Sequence, residues 1–204
     1  MSLIIGLTGG IATGKSTVAN FFKEADIPVI ETDVIAKNVM QKGSDVYQAV
    51  RDYFGEEILL SNGEIHRKLL GQLIFSDAEK RQFLNDTVHP AVKTVMLREI
   101  EKYRLEGKKL IIVDVPLLFE AGFDQSVDLT LVVATDEMTQ LNRLMERDNI
   151  DKALANQKIK AQWPLVEKKE KADFVLDNSE SILSTKKAFR DILEVLKERA
   201  QWDS

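Results

Sequence analysis

The chain has 204 residues, of which 44% are hydrophobic and 30% charged, a composition typical of a globular protein with one sizeable core. Acidic residues outnumber basic ones by 33 to 28, and this balance argues against a non-specific nucleic-acid binder, which needs a basic surface. The absence of cysteine excludes a disulfide scaffold and a thiolate metal site. We find neither a signal-peptide pattern nor an apolar run of roughly 20 residues, and therefore expect a cytoplasmic chain without membrane contact.

Five short apolar segments rich in Val and Ile have the pattern of strands that are covered on both faces of a parallel sheet. These segments are Leu3–Thr8, Pro28–Thr32, Leu110–Val115, Leu129–Ala134 and Asp173–Asp177. Helical patterns separate them, and the last twenty residues form an amphipathic pattern of their own. The order predicts an α/β fold with three layers, in which a five-stranded parallel sheet lies between helices.

The connection between the second and third strands is long and has only helical patterns, so residues 33–107 are expected to form an inserted helical domain. Ser44 is expected to cap one of its helices, and Ser76 another, with Glu79 as the capping-box partner. Pro90 is expected in the first turn of the last helix of the insertion.

The first strand is followed by GGIATGKST, which fits the phosphate-binding pattern G-x-x-x-x-G-K-[ST]. Backbone amides of such a loop turn inward around a polyphosphate at the positive end of the following helix. Lys15 is expected to reach the β- and γ-phosphates of ATP, and the Ser16 hydroxyl to bind Mg²⁺. The alternative is a plain glycine-rich turn. The candidate ATP-binding residues of this loop are Gly10, Ile11, Ala12, Thr13, Gly14, Lys15, Ser16 and Thr17.

Two aspartates follow other predicted strands, at the sheet edge where ligands bind in α/β folds. Asp114 ends the apolar run LIIVD and is a candidate magnesium ligand beside Ser16, although any strand can end in Asp. Asp33 follows the second strand, where it is either a base that accepts a hydroxyl proton or an ordinary helix cap. The segments after the fourth and fifth strands lack the N-K-x-D pattern of a GTPase, which favours a kinase.

A basic stretch follows the fourth strand. Arg143 and Arg147 are four residues apart and therefore share one helix face, and Lys152, Lys158 and Lys160 come next. The stretch is typical of a lid that covers the γ-phosphate. The alternative is a solvated helix with a salt bridge, such as one between Glu146 and a neighbouring cation.

Several segments together resemble the dephospho-coenzyme A kinase family over nearly the whole chain. They are GGIATGKST, ETDVIAKNV, VHPAV, DVPLLFEAGFD, QLNRLMERD, KIKAQ and ADFVLDN. The resemblance implies an enzyme that transfers the γ-phosphate of ATP, with Mg²⁺, to the ribose 3′-hydroxyl of dephospho-coenzyme A, the last step of coenzyme A biosynthesis. Another P-loop small-molecule or nucleotide kinase and a nucleotide-dependent regulatory protein are the alternatives. No oligomeric state follows from the sequence.

The resemblance also implies roles for individual residues. Asp33 is the implied base, Lys15 and Arg143 stabilise the transferring charge, and Asn178 lies near the nucleotide base. The implied acceptor-side residues, besides Asp33, are His89, Leu117, Leu118, Phe119 and Glu120. The implied domains are a nucleotide-binding core (1–32, 108–138 and 166–204), an acceptor domain (33–107) and a lid (139–165).

The chain departs from the family pattern at a few positions. Ala12 and Thr13 replace the usual Gly-Ser of the loop, a change that we expect to be tolerated if Ala12 does not need a positive φ. Lys37 and Lys158 stand where the family has Arg, and a lysine keeps the charge but loses the bidentate geometry of a guanidinium.

Overall fold

The computed structural model describes residues 2–202. It divides into two compact units, one made of the residues up to Glu31 together with those from Ile100 onward, and one made of Thr32–Glu99. The strands are β1 (Leu3–Gly9), β2 (Val29–Glu31), β3 (Leu110–Asp114), β4 (Leu129–Ala134) and β5 (Phe174–Asp177). The α-helices are α1 (Lys15–Glu24), α2 (Thr32–Val39), α3 (Asp45–Phe54), α4 (Arg67–Ser76), α5 (Ala78–Leu105), α6 (Glu137–Asp148), α7 (Lys152–Lys160), α8 (Leu165–Lys171) and α9 (Ile182–Trp202).

The first unit contains a five-stranded parallel sheet with the order β2-β3-β1-β4-β5, which confirms the predicted α/β class. The observed strands match the five predicted segments to within one or two residues. In the register of the sheet, Asp114 lies between Leu7 of β1 and Glu31 of β2. The carboxyl ends of these three strands therefore meet at one edge, where ligands bind in open α/β sheets.

One face of the sheet is covered by α1 and α9. Their aromatic rings meet edge to face, with 4.8 Å between the centroids of Phe22 and Phe189, over the buried sheet residues Leu7, Ile112 and Leu131. The amphipathic pattern of the last helix is thus confirmed, because its apolar side is buried in this core. Within residues 2–202, no helix is long and apolar enough to cross a membrane.

The unit of residues 32–99 is helical, as its sequence pattern predicts; its described residues form no strand beyond one antiparallel bridge between Leu59 and Ile65. The predicted cap of α3 is confirmed, because the Ser44 side chain accepts a hydrogen bond from the backbone N–H of Tyr47. The predicted insertion, 33–107, overlaps this unit. The unit ends at Glu99, whereas helix α5 continues to Leu105.

Two predictions within the insertion are wrong. Ser76 ends α4, and Asp77 caps α5 instead, because its carboxylate accepts the backbone N–H groups of Glu79 and Lys80. Pro90 lies inside α5 rather than in its first turn. The helix continues because apolar residues recur every four positions on both sides of the proline, and burying this stripe offsets a cost of about 3 kcal/mol for an interior proline. The buried residues of the stripe are Leu84, Val88, Val92 and Met96.

Candidate active site

The predicted phosphate loop connects β1 to α1 at the carboxyl edge of the sheet. Gly14 is the N-cap residue with φ 90°, and the first turn of α1 has neither a side-chain cap nor an acidic residue within the described part of the chain. An uncapped helix start with free N–H groups and no negative charge attracts an anion. The loop geometry therefore agrees with a site for phosphate groups.

Two glycines of the loop are required by close packing. A Cβ atom at Gly9 would lie 2.6 Å from the carbonyl oxygen of Val133 in the neighbouring strand. A Cβ atom at Gly14 would lie 2.0 Å from Nδ2 of Asn178, in a backbone conformation that side chains disfavour. Ala12 is different, because it adopts a left-handed conformation with φ 60° although it has a side chain. Ala12 therefore does need a positive φ, which is the case in which we do not expect an alanine to be tolerated without cost. The loop carries a local strain of about 1 kcal/mol.

Side chains from distant segments hold the loop backbone in place. Asn178, which follows β5, donates from Nδ2 to the carbonyl of Thr13 at 2.7 Å. Gln140 of α6 donates to the carbonyl of Ile11 at 2.9 Å, and the N–H of Ile11 donates to Gln162 at 2.8 Å. Both polar groups of Ile11 are thus occupied by protein, so a polar contact of this residue with ATP requires Gln140 or Gln162 to move. The nucleotide contact of Ile11 stays a prediction.

Asn178 is buried and connects several of the residues that hold the loop. Its Oδ1 accepts a hydrogen bond from the Thr185 hydroxyl at 2.7 Å, and its backbone carbonyl accepts one from Arg143 at 2.8 Å. The structure thus brings Arg143 to the residue that holds the loop carbonyl of Thr13. Because the Asn178 amide already has protein partners on both sides, its observed role is to position the loop, and its predicted contact with the nucleotide base stays a prediction.

Lys15 and Asp114 meet at the edge of the sheet. The Lys15 amine forms an ion pair with Oδ1 of Asp114, and their side chains are only 18% and 10% exposed. Ser16, the next residue of α1, is exposed to solvent. A carboxylate and a hydroxyl are hard oxygen donors of the kind Mg²⁺ prefers, and Mg²⁺ usually takes few protein ligands because it keeps several waters. The donor set thus fits the predicted magnesium site, although no cluster of three acidic, histidine or cysteine side chains able to hold a metal occurs in residues 2–202.

Helices α6 and α7 contain most of the predicted lid. Asp148, at the end of α6, accepts hydrogen bonds from Arg147 at 2.8 Å and from Lys158 of α7 at 2.6 Å. These bonds lower the pKa of Asp148 to about 2. The alternative view of this stretch expects salt bridges, and they are present with Asp148 as the acid rather than Glu146. One of them includes Lys158, which stands where the family has Arg. Closure of these helices over ATP stays a prediction.

The segment Leu117–Glu120 has one exposed and two buried apolar residues. Leu117 is 38% exposed, whereas Leu118 is fully buried and Phe119 is 7% exposed. A Cβ atom at Gly6 of β1 would lie 2.9 Å from Leu118, so this leucine belongs to the core of the sheet. Of the three apolar side chains, Leu117 is the one that the structure leaves accessible to an acceptor molecule.

Glu120, the charged residue of the Leu117–Glu120 segment, pairs with a lysine that sequence reasoning missed. Glu120 accepts a bond from the backbone N–H of Trp163 at 3.2 Å and pairs with Lys168 of α8 at 2.6 Å. Lys168 has no accessible surface. Sequence reasoning also missed Gln140 and Gln162 as supports of the loop. Gln162 lies in the quoted segment KIKAQ, but no local pattern reveals that a side chain will bond to a backbone group more than a hundred residues away.

The remaining candidates, Asp33 and His89, belong to the unit of residues 32–99. Asp33 is exposed and lies inside the first turn of α2, which begins at Thr32, and not at the cap position. His89 lies half-buried within α5, and burial lowers the pKa of its imidazole, which favours the neutral form. The predicted acceptor-side roles of both residues stay predictions.

Comparisons with known proteins show the family of this chain. The family model described as dephospho-CoA kinase matches residues 3–184. A dephospho-CoA kinase of Oryza sativa subsp. japonica is 45% identical over 199 residues, which cover 98% of this chain and 86% of the relative. One of Bacillus anthracis is 46% identical over 194 residues, which cover 95% of this chain and 97% of the relative.

Solved structures are also similar to this chain. A protein from Thermus thermophilus superimposes with a TM-score of 0.81 at 31% identity, covering 96% of this chain and 98% of its own. The dephospho-CoA kinase from Campylobacter jejuni gives a TM-score of 0.72 at 25% identity over all of both chains. A shikimate kinase from Acinetobacter baumannii, 15% identical with a TM-score of 0.52 over 98% of this chain and 95% of its own, shares the fold alone. With a P-loop fold, a phosphate loop held as described and a match from residue 3 to residue 184, the chain belongs to the dephospho-CoA kinase family.

Proposed function

We propose that the chain carries out the reaction of its family, in which the γ-phosphate of ATP is transferred to the ribose 3′-hydroxyl of dephospho-CoA to give CoA and ADP. The observation that carries the proposal is a phosphate loop with a partly buried Lys15–Asp114 pair in a chain that matches the family over residues 3–184. The runner-up, a different P-loop kinase, has less support, because the shikimate kinase is only 15% identical to this chain.

The phosphate loop binds the triphosphate of ATP. Its backbone N–H groups and the uncapped start of α1 face the phosphates, and Lys15 leaves Asp114 to contact the β- and γ-phosphates. Arg143, held through its bond to the Asn178 carbonyl, supplies a second positive charge to the transferring group. Phosphoryl transfer depends mainly on such positioning and charge stabilisation, so these cations contribute most of the catalytic effect.

Ser16 and Asp114 would hold a magnesium ion that accompanies ATP. When bound, Mg²⁺ would supply positive charge that neutralises the negative charge developing on the phosphate oxygens. When Lys15 turns to the phosphates, Asp114 would exchange its ion pair with the lysine for the magnesium ion. The two changes thus belong to one event, which is the arrival of ATP with its metal ion.

Asp33 acts as the general base for the acceptor. Its carboxylate takes the proton of the ribose 3′-hydroxyl, the oxygen attacks the γ-phosphorus, and the bond to the β-phosphate breaks to release ADP. Three features support this role: the family motif, the solvent-exposed carboxylate and the position of Asp33 two residues after β2, which ends in register with Asp114. His89, Leu117 and Glu120 belong to the acceptor side of the same proposal. A cytoplasmic location stays a prediction.

Product analysis tests the proposal. We expect incubation with ATP, Mg²⁺ and dephospho-CoA to give a product whose new phosphate NMR assigns to the ribose 3′-carbon. An analogue without the 3′-hydroxyl should bind but remain unphosphorylated. Phosphate at another position, or equal turnover of the 3′-deoxy analogue, would contradict the assignment of the acceptor hydroxyl.

A further inference from the structure

Lys168 is a charged side chain in a place where charges are rare. It lies on α8 with no accessible surface, and its amine forms an ion pair with Glu120 at 2.6 Å. Burial of a charged amine is unfavourable unless a carboxylate and hydrogen bonds compensate for the lost water. None of the roles described above uses this lysine, although it is among the largest fully buried side chains of the protein.

The amine also contacts the beginning of the phosphate loop. It donates a hydrogen bond to the carbonyl of Gly9, the last residue of β1, at 3.4 Å. Gly9 is the first glycine of the phosphate-binding pattern, and its tight packing against Val133 leaves its peptide little room to shift. Lys168 thus holds the loop at the point where the chain leaves the sheet.

The carboxylate partner extends the same connection to the turn between α7 and α8. The Glu120 oxygen that binds Lys168 also accepts the backbone N–H of Trp163, and the neighbouring Gln162 binds the N–H of Ile11. One buried cation therefore links the beginning of the loop, the end of the Leu117–Glu120 segment and the turn after the predicted lid helices.

We propose that Lys168 is a positioning residue of the kinase, which sets the phosphate loop and the α7–α8 turn in the arrangement that binds ATP. The inference rests on the proposed function for its kinetic readout. Its physical basis is that a misplacement of about 1 Å in a reacting geometry can lower a rate about 10²-fold. Lys168 itself touches no reacting atom in this proposal, because its amine is fully enclosed by protein.

The competing explanation is that Lys168 serves stability alone. The energetics of buried ion pairs distinguish this explanation from a positioning role. Replacement of a buried ion pair by apolar residues of similar size is often neutral or stabilising, whereas removal of one partner is strongly destabilising. The pair also leaves Oε2 of Glu120 buried without a hydrogen-bond partner in the described residues, which is itself unfavourable. A pair kept only for stability would therefore be replaceable by two apolar side chains.

The test compares Lys168→Met, the double variant Lys168→Met/Glu120→Met and the control Lys169→Met, which changes an exposed lysine of the same helix. We expect Lys168→Met to lower the melting temperature, to weaken ATP binding about 10-fold and to lower kcat about 10- to 100-fold. The double variant should regain the melting temperature but not ATP affinity, because the Gly9 carbonyl and the Trp163 N–H still lack their partners. ATP affinity decides here, since Glu120 is also a proposed acceptor-side residue. Lys169→Met should match the unmodified chain in all three.

Recovery of ATP affinity together with stability in the double variant would overturn the proposal, as would normal ATP binding by folded Lys168→Met. If Lys168→Met does not fold, Lys168→Arg and Glu120→Gln are measured instead. We then expect the arginine variant to keep ATP affinity and the glutamine variant to lose it, and equal affinities would overturn the inference. ATP affinity, measured by calorimetry without an acceptor, keeps this test separate from the proposed acceptor. A chain inactive with dephospho-CoA would still show the loss of ATP binding if Lys168 positions the loop.

Discussion

The phosphate loop is held by side chains from far along the sequence, whereas polar contacts in the helical unit of residues 32–99 join closer segments. Gln140, Gln162 and Asn178 bind loop backbone groups that lie 129, 151 and 165 residues away. In the helical unit, Tyr47 bonds to the Gly63 carbonyl 16 residues away, and Arg67 to the Lys37 carbonyl 30 residues away.

This difference separates two ways of building a functional region. The loop has a recognisable motif, but its shape depends on buried partners that the motif does not contain. In the helical unit, repeated apolar positions such as Val50 and Leu84 build the core, and the proposed base, Asp33, is one of several exposed carboxylates on that scaffold. We therefore expect loop variants to change ATP binding as well as rate, and variants of Asp33 to change the rate alone.

The largest effect is expected for Lys15→Ala. This variant loses a charge that contacts the transferring phosphate and also leaves Asp114 without its ion-pair partner lysine. We expect kcat/KM to fall about 10³-fold or more, since charge stabilisation dominates phosphoryl transfer. Lys23→Ala is the matched control, because Lys23 lies on the same helix in an exposed ion pair with Glu31 and should have little effect. Near-normal turnover by Lys15→Ala would remove the phosphate-loop assignment.

Asp33→Asn comes next. The amide cannot accept the hydroxyl proton, so we expect kcat to fall about 10²-fold or more while ATP affinity from calorimetry stays near normal. Asp45→Asn, a change of another exposed acid in a first helical turn of the same unit, serves as the control. An unchanged kcat/KM for Asp33→Asn would make this aspartate part of a helix and nothing more.

Asn178→Ala tests the support of the loop. It removes the donor to the Thr13 carbonyl and the acceptor of the Thr185 hydroxyl, both in a buried setting. We expect a loss of about 1–3 kcal/mol in the free energy of unfolding and a several-fold rise in KM for ATP. Ser179→Ala is the control, because the described hydrogen bonds of this hydroxyl are to Asp136 and Asp177 and not to the loop, so KM should be unaffected. A stability loss with an unchanged KM would mean that the loop keeps its shape without Asn178.

Ala12→Gly is expected to have a smaller effect, in the stabilising direction. Glycine relieves the left-handed strain at φ 60°, although it loses more chain entropy on folding, so the net gain is expected to be below about 1 kcal/mol. Ala25→Gly, at a residue with φ −88°, has no strain to relieve and should be slightly destabilising. Urea unfolding measures the change in the free energy of unfolding for both variants. A destabilised Ala12→Gly would contradict the strain assigned to the loop.

The smallest expected effect is the pH dependence of the stability that Asp148 contributes. Its folded pKa is lowered from 3.8 to about 2 by Arg147 and Lys158, so its stabilising contribution is present above the unfolded pKa and is lost as the pH falls toward 2. Because the side chains of Asp148 and Lys158 are partly exposed and water screens the pair, we expect Asp148→Asn to cost less than about 1 kcal/mol at neutral pH. Urea titrations should show this difference shrinking between about pH 4 and pH 2. A difference that grows on acidification would contradict the assigned pKa shift.

Much of the first unit follows from local sequence. The five apolar runs predict the strands, and the spacing of GGIATGKST predicts both the loop and the helix that follows. The failures come from tertiary effects. Pro90 is a strong local signal for a helix start, but the buried stripe that includes Val88 and Val92 outweighs it. Lys168 looks like one of several lysines on a polar helix, and only the packing around Glu120 distinguishes it.

The most direct test of the account is a coupled assay of ADP release with ATP, Mg²⁺ and a panel of acceptors: dephospho-CoA, nucleosides, nucleotides and shikimate. We predict strong turnover with dephospho-CoA alone, and its loss in the Lys15→Ala and Asp33→Asn variants. Turnover with another acceptor and none with dephospho-CoA would contradict the proposed substrate. Tight ATP binding without turnover of any acceptor would contradict the assignment of a kinase and favour a nucleotide-dependent regulatory protein.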